Sequence, residues 1–218
     1  MASGRIRPDG RIYGGKQMKP REFLNALHVA EKLKDATRHC YTSNGRHESV
    51  AEHSWRMALM AWWLRDEFPE ADMNKVMAMC LIHDLGEAFT GDIPTFAKTQ
   101  SDEAAEEALL HKWVASLPEK QADEMDALYA EMAERTTLEA RIYKALDGLE
   151  ALIQHNESAL DTWIPHEYEL NLTYSEDRVM FSDYLTALRS EIKSDTVQKI
   201  SAGKKEASFS ALERNGGA

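Results

Sequence analysis

Between His83 and Pro94 the chain reads His-Asp-Leu-Gly-Glu-Ala-Phe-Thr-Gly-Asp-Ile-Pro, which sets one imidazole and three carboxylates within ten residues. Imidazole and carboxylate are ligand types for a divalent metal, and a carboxylate outside the ligand set can hold or move the proton of a water. The run before it, Met73 to Ile82, is rich in Met, Val, Leu and Ile and reads as a buried helix, so His83 and Asp84 arrive at the end of an apolar rod. Charge placed there needs a neutralising partner. On a helix Glu87, four after His83, points along the same side, so His83, Asp84 and Glu87 can converge. Gly86 and Gly91 allow close approach or positive φ, and Pro94 cannot continue a helix, which puts Asp92 on a turn able to fold back toward the same point. Alone, a His-Asp pair reads more readily as a helix-end salt bridge or cap than as a metal site, and further ligands must come from elsewhere.

The elements able to supply them are helices. The 218 residues suit one domain, with a flexible Gly- and Arg-rich arm over residues 1–18, the folded domain over 19–194, and a disordered Ser-, Gly-, Lys- and Asn-rich tail over 195–218. A helix is expected from Pro20 to about Lys34, then an irregular basic stretch from Asp35 to His47. Ser49 with Glu52 three residues on forms a capping-box signature and opens a long helix, with His53 in its first turn and a core face of Val50, Trp55, Leu59 and Trp62 or Trp63. Phe68-Pro69-Glu70 ends it, and Asp72 or Met73 begins the next. Further helical patterns run over Asp102–Ser116, Lys120–Ala133, Thr136–Gln154 and Ser175–Lys193, with Asp147 on the flank of the third. No segment shows strand alternation, and no repeat is present. The expected fold is all-α, a single-domain helical bundle with its site between helices.

Charge and cysteine usage exclude several classes. A net charge of −11 argues against a partner that is a nucleic acid polymer, although a local basic pocket for one phosphate is compatible with it. Cys40 and Cys80 lack CxxC spacing, which argues against a disulfide framework or sulfur-rich zinc site and fits a reducing, cytoplasmic setting. No apolar run is long enough to span a bilayer, and no signal-peptide pattern is seen, so no membrane partner is expected.

Two residues elsewhere could join His83 and Asp84: His53 upstream and Asp147 downstream, each on a different helix. One His, a His-Asp pair and one Asp make a mixed nitrogen and oxygen set suited to one divalent transition-metal ion, whether Co, Mn, Ni, Fe or Zn. The order His, His-Asp, Asp resembles the HD-domain metal-dependent phosphohydrolases. The words ESVAEHSWRMA (Glu48 to Ala58) and HDLGEAFTGDIPT (His83 to Thr95) are similar to the bacterial 5′-deoxynucleotidase branch. The resemblance implies His53, His83, Asp84 and Asp147 as metal ligands, Glu87 and Asp92 as the carboxylates acting on the attacking water and phosphate, and a homodimer. In that branch an Arg-Trp pair precedes the first metal histidine, the arginine on phosphate and the tryptophan beside the sugar. Here the matching pair is Arg38-His39, and the missing indole implies weaker discrimination against a 2′-hydroxyl. Arg46 and Lys98 are expected to add positive field near the phosphate, while His28, His47, His111, His155 and His166 are read as structural or surface residues. The expected activity is removal of phosphate from a (deoxy)nucleoside 5′-monophosphate. Its alternatives are hydrolysis of a triphosphate, an alarmone or a non-nucleotide phosphate, or a non-catalytic binding module.

Overall fold

The computed structural model describes the backbone of two short strands, β1 (Arg5–Ile6) and β2 (Ile12–Tyr13), and of residues 18–215, with side chains described over 18–204. The arm expected over 1–18 lies, those strands apart, outside the described residues. After it come α1 (Pro20–Glu31), the antiparallel hairpin of β3 (Thr37–Tyr41) and β4 (His47–Ser49), α2 (Val50–Trp63), α3 (Met73–Ile82) and α4 (Glu87–Thr90). The remainder is α5 (Gln100–Val114), α6 (Glu119–Glu134), α7 (Leu138–Glu157), α8 (Pro165–Thr173), α9 (Glu176–Val179) and α10 (Asp183–Asn215). The fold is all-α, as the periodicity implies. Among the described residues no helix is long and apolar enough to cross a membrane.

Helix α7 packs against α2, α3, α6, α9 and α10. Its Ile142, Leu146 and Leu149 are fully buried with Met57 and Ala61 of α2 and Val76 and Met79 of α3. Each large side chain so buried contributes about 1.5–3 kcal/mol. The α2 start is the capping box expected: the Glu52 amide donates to Ser49 Oγ (3.3 Å) and the Ser49 amide to Glu52 Oε2 (2.9 Å). The face that α2 turns inward is Val50, His53, Ser54, Met57 and Ala61, whereas Trp55, Trp62 and Trp63 are exposed, contrary to expectation. Met57 and Ala61 fit a closely packed α2–α3 seam that an indole would overfill.

Three further differences matter for the site. The stretch expected to be irregular is the β3–β4 hairpin. Its alternation is invisible as hydropathy because Arg38 and Cys40 face Glu48 on one side while His39 faces Glu167 on the other. Helix α8 was not anticipated; Pro165 stands at its first position, and Glu167 accepts the Ile164 amide (2.8 Å). The last helix continues past Lys193 to Asn215, with Thr196 fully buried and bonded to Asn171, so packing extends into the segment expected to be a tail.

Gly148 permits a close approach. A Cβ there would lie 1.8 Å from Ser175 Oγ and 2.9 Å from Ser175 Cβ, and Ser175 itself has φ 63°. The turn before α9 therefore sits directly on α7, beside Asp147.

Candidate metal centre

His53 enters from the first turn of α2, His83 and Asp84 from the end of α3, and Asp147 from the middle of α7. Asp72 caps α3 by accepting the Asn74 and Lys75 amides, and the His83 amide continues the ladder to Met79 O (3.0 Å), so the histidine is carried by the helix. His53 Nε2 lies 3.4 Å from Asp147 Oδ1, and His83 Nε2 lies 2.9 Å from Asp84 Oδ2 and 3.9 Å from Asp147 Oδ1. Donor atoms of His53, His83 and Asp84 all fall within 4.8 Å of one another. The sequence-predicted ligand set is brought to one point.

The outer atoms of these rings are already engaged. His53 Nδ1 is hydrogen-bonded to Glu150 Oε2, and His83 Nδ1 to Cys80 O (2.9 Å). With Nδ1–H donating outward, each neutral ring turns an Nε2 lone pair inward, and both Nε2 atoms are buried without a hydrogen-bond partner. Two orphaned imidazole nitrogens facing two carboxylates is the arrangement a divalent cation fits, with the tautomers fixed by the outer partners. Lys144 Nζ holds Asp147 Oδ2 (2.7 Å), leaving Oδ1 for the centre. Against the effect of burial, Lys144 and the two imidazoles hold the Asp147 carboxyl well below the usual range. Burial and Arg38 both act to lower the His53 pKa, yet Glu150 and Asp147 bring it up to about 9, so the carboxylates call for a positive charge at Nε2 that either a proton or a metal cation can supply.

Asp84, Asp147 and His53 open onto a cavity of about 440 Å³ that Glu87, Asp92, Arg38, His39 and Lys98 also line. Glu87 does not continue α3: tighter turns intervene, its amide bonding to Asp84 O, and it opens α4. Its Oε2 is buried and unpartnered. Burial, with Asp84, Asp92 and Glu106 nearby, pushes its carboxyl up to about 10. Asp92 follows Gly91 (φ 76°) and makes no hydrogen bond among the described residues; burial raises its pKa, with Arg38 opposing. Arg38 Nη1 donates to Glu48 Oε2 (3.0 Å) and Glu150 Oε2 (3.2 Å), which leaves Nε and Nη2 without a partner among the described residues. Lys98 Nζ is held by Glu106 (2.7 Å) at the cavity edge. Arg46 is not brought in. It is exposed and pairs with Glu52, because its place near the hairpin turn carries it outward.

Several residues here escaped sequence reasoning. Glu150, 0% exposed, joins His53, Arg38 and, at 3.7 Å, Arg56. His155, read as structural or surface, is buried in the cavity wall with Glu167. The proline-then-acid start of α8 was the one signal for Glu167.

The family model described as HD domain matches residues 30–189. The chain belongs to the HD-domain family. His53, His83, Asp84 and Asp147 all lie within the matched span. Human 5′-deoxynucleotidase HDDC2 is 30% identical over 141 residues, 63% of this chain and 68% of that protein. The dATP triphosphohydrolase of Salmonella phage PMBT28 is 34% identical over 90 residues, 37% of this chain and 43% of that protein. Among solved HD-domain structures, one from Magnetospirillum magnetotacticum MS-1, described as a "predicted metal-dependent phosphohydrolase", superimposes with a TM-score of 0.72 at 29% identity, covering 82% of this chain and 93% of that one.

Proposed function

We propose that this chain is a metal-dependent phosphohydrolase that releases phosphate from nucleoside and deoxynucleoside 5′-monophosphates. The observation that carries the reading is the pair of buried, unpartnered Nε2 atoms facing Asp84 and Asp147 beside Glu87. His53, His83, Asp84 and Asp147 hold one divalent ion, and their mixed nitrogen and oxygen donors suit Mn, Co, Ni, Fe or Zn. Such an ion, when bound, lowers the pKa of a water and polarises a phosphoryl oxygen.

The chain's own groups do the rest. Beside the charge of a bound divalent ion Glu87 would be ionised, and its otherwise unpartnered Oε2 would then take the proton of the attacking water, while Asp92, unpartnered, orients that water or the phosphate. Arg38 is held in place by Glu48 and Glu150 and offers its remaining donors to phosphate oxygens, a use suited to a planar guanidinium. Lys98 adds positive charge at the edge. A cavity of about 440 Å³ suits one nucleotide rather than a polymer. His39 beside it is smaller than an indole and leaves room for a 2′-hydroxyl. The activities of the deoxynucleotidase and triphosphohydrolase relatives support nucleotides as the substrate class. Buried free Cys40 and Cys80 support a cytoplasmic setting, and exposed Trp55, Trp62 and Trp63 support a homodimer.

The test is a metal-by-substrate screen on chelator-stripped protein. Activity should vanish on stripping and return with one of the five metals, yielding inorganic phosphate and nucleoside. Tripolyphosphate as product, with monophosphates inert, would replace the substrate assignment. His83→Ala and Asp147→Ala should each lose the ion by elemental analysis, and full occupancy in both would remove the site.

A further inference from the structure

We propose that His39, His155 and Glu167 form a second divalent-metal site in the wall of the same cavity. The three arrive from separate elements: His39 from β3, His155 from the last turns of α7, and Glu167 from the first turn of α8. Glu167 Oε1 lies 3.1 Å from His39 Nε2 and 3.2 Å from His155 Nε2, and the three donor atoms are mutually within 4.8 Å. Ligands bound at about 2.1 Å to one tetrahedral or octahedral ion stand roughly 3.0–3.4 Å apart, so the spacing to the carboxylate is already that of coordination.

Hydrogen bonding around the cluster turns its donor atoms toward one another. His155 Nδ1 is bonded to Ala151 O (2.9 Å), a carbonyl that can only accept, so the Nε2 of a neutral ring carries a lone pair. Glu167 Oε2 is taken by the Ile164 amide (2.8 Å), which turns Oε1 toward both rings. His155 is 8% exposed and Glu167 4%, so water does not separate them freely. The 3.2 Å contact between His155 Nε2 and Glu167 Oε1 is a hydrogen bond when a proton stands on Nε2, and a divalent ion at this point would take that proton's place. The same pattern recurs at the first centre, where His83 gives Nδ1 to the Cys80 carbonyl and faces Asp84 Oδ2 with Nε2. Two imidazoles and one carboxylate match the facial set that binds divalent transition metals and leaves positions open for oxygen ligands. His155 follows Asp147 by eight residues on α7, two turns and a fraction, so the clusters share a helix side and stand roughly 12 Å apart along its axis. A substrate whose phosphate meets the first centre would present its other oxygen groups to the second.

This inference stands apart from the hydrolase reading, and metal content separates the two. Full-length protein is stripped with chelator, reloaded with Zn2+, desalted and analysed for zinc. Two ions per chain are expected in the wild type and one in Glu167→Gln, whose amide oxygen still accepts the Ile164 amide and keeps α8 capped. One is likewise expected in His39→Phe, which leaves the buried residues untouched. Asp147→Ala should retain one ion, and its double variant with Glu167→Gln none. A wild type holding a single ion that Asp147→Ala removes and Glu167→Gln keeps would overturn the proposal and leave the cluster as a protonated imidazole pair on a carboxylate. Two ions that survive both Glu167→Gln and His39→Phe would overturn it equally.

Discussion

Replacing Glu150 with glutamine tests whether the centre depends on the group behind its first histidine. Glu150 is fully buried, holds His53 at Nδ1 and accepts Arg38 Nη1. Glutamine keeps the volume, and its one oxygen can take the Oε2 place that accepts from both His53 and Arg38, but it removes the charge, so the Nδ1–H bond that keeps Nε2 turned inward is weakened. Such an outer partner is worth tenfold to hundredfold in metal affinity, about 1.4–2.7 kcal/mol. The loss is readable through stability. Free metal at about 100 times the wild-type Kd stabilises the fold by about 2.7 kcal/mol; at that concentration the variant sits at roughly one to ten times its own Kd, worth about 0.4–1.4 kcal/mol. For a chain of 218 residues each kcal/mol moves Tm by about 2–4 °C, so the metal-induced rise should fall from about 5–11 °C to about 1–6 °C. The measurement is calorimetry with and without metal in the Glu167→Gln background, so that one centre is read, alongside competition with a chromophoric chelator. Each stripped protein is its own reference, so the direct cost of altering a buried ion pair cancels. Equal metal-induced shifts in a folded variant and its parent would refute the claim that Glu150 positions His53.

Two other variants separate chemistry from scaffolding. Glu87→Gln should keep its metal by elemental analysis yet lose about 10²- to 10⁴-fold in turnover, because the amide keeps the shape of the side chain and cannot take a proton; near-normal kcat would reduce Glu87 to a structural role. Gly148→Ala places a methyl 1.8 Å from Ser175 Oγ and should lower stability by about 2 kcal/mol, seen as a lower denaturation midpoint. Ser175→Gly in the same chain removes the clashing atoms and suits the positive φ, so it should restore the midpoint; no rescue would mean that the clash lies elsewhere.

How far the site was legible turns on what each residue's neighbours in sequence disclose. His83 and Asp84 stood out because a run of apolar residues ends abruptly in imidazole and carboxylate, and His53 because a capping box fixes where its helix begins. Asp147 was legible as a poor helix residue on the flank of an apolar stripe. Glu150, Gln154 and His155 lie on that same flank at helical spacing, where the ordinary reading is a solvated polar face. The structure covers this face instead. Glu150 meets His53 and Arg38, Gln154 donates to Tyr41 O (2.7 Å) and accepts from Arg56 (2.9 Å), and His155 meets Glu167. Helix α7 is therefore buried on two sides, one closed by aliphatic packing and the other by paired charge, and hydropathy detects only the first. What closes the second is a hairpin whose alternation runs between two polar walls, and a nine-residue helix too short for periodicity to reveal. Removing one partner from such a covered polar face leaves a buried charge unpaired, at a cost of about 3–5 kcal/mol. The residues that orient the metal centre are for that reason also residues the fold depends on, and only volume-keeping changes such as Glu150→Gln can tell the two roles apart.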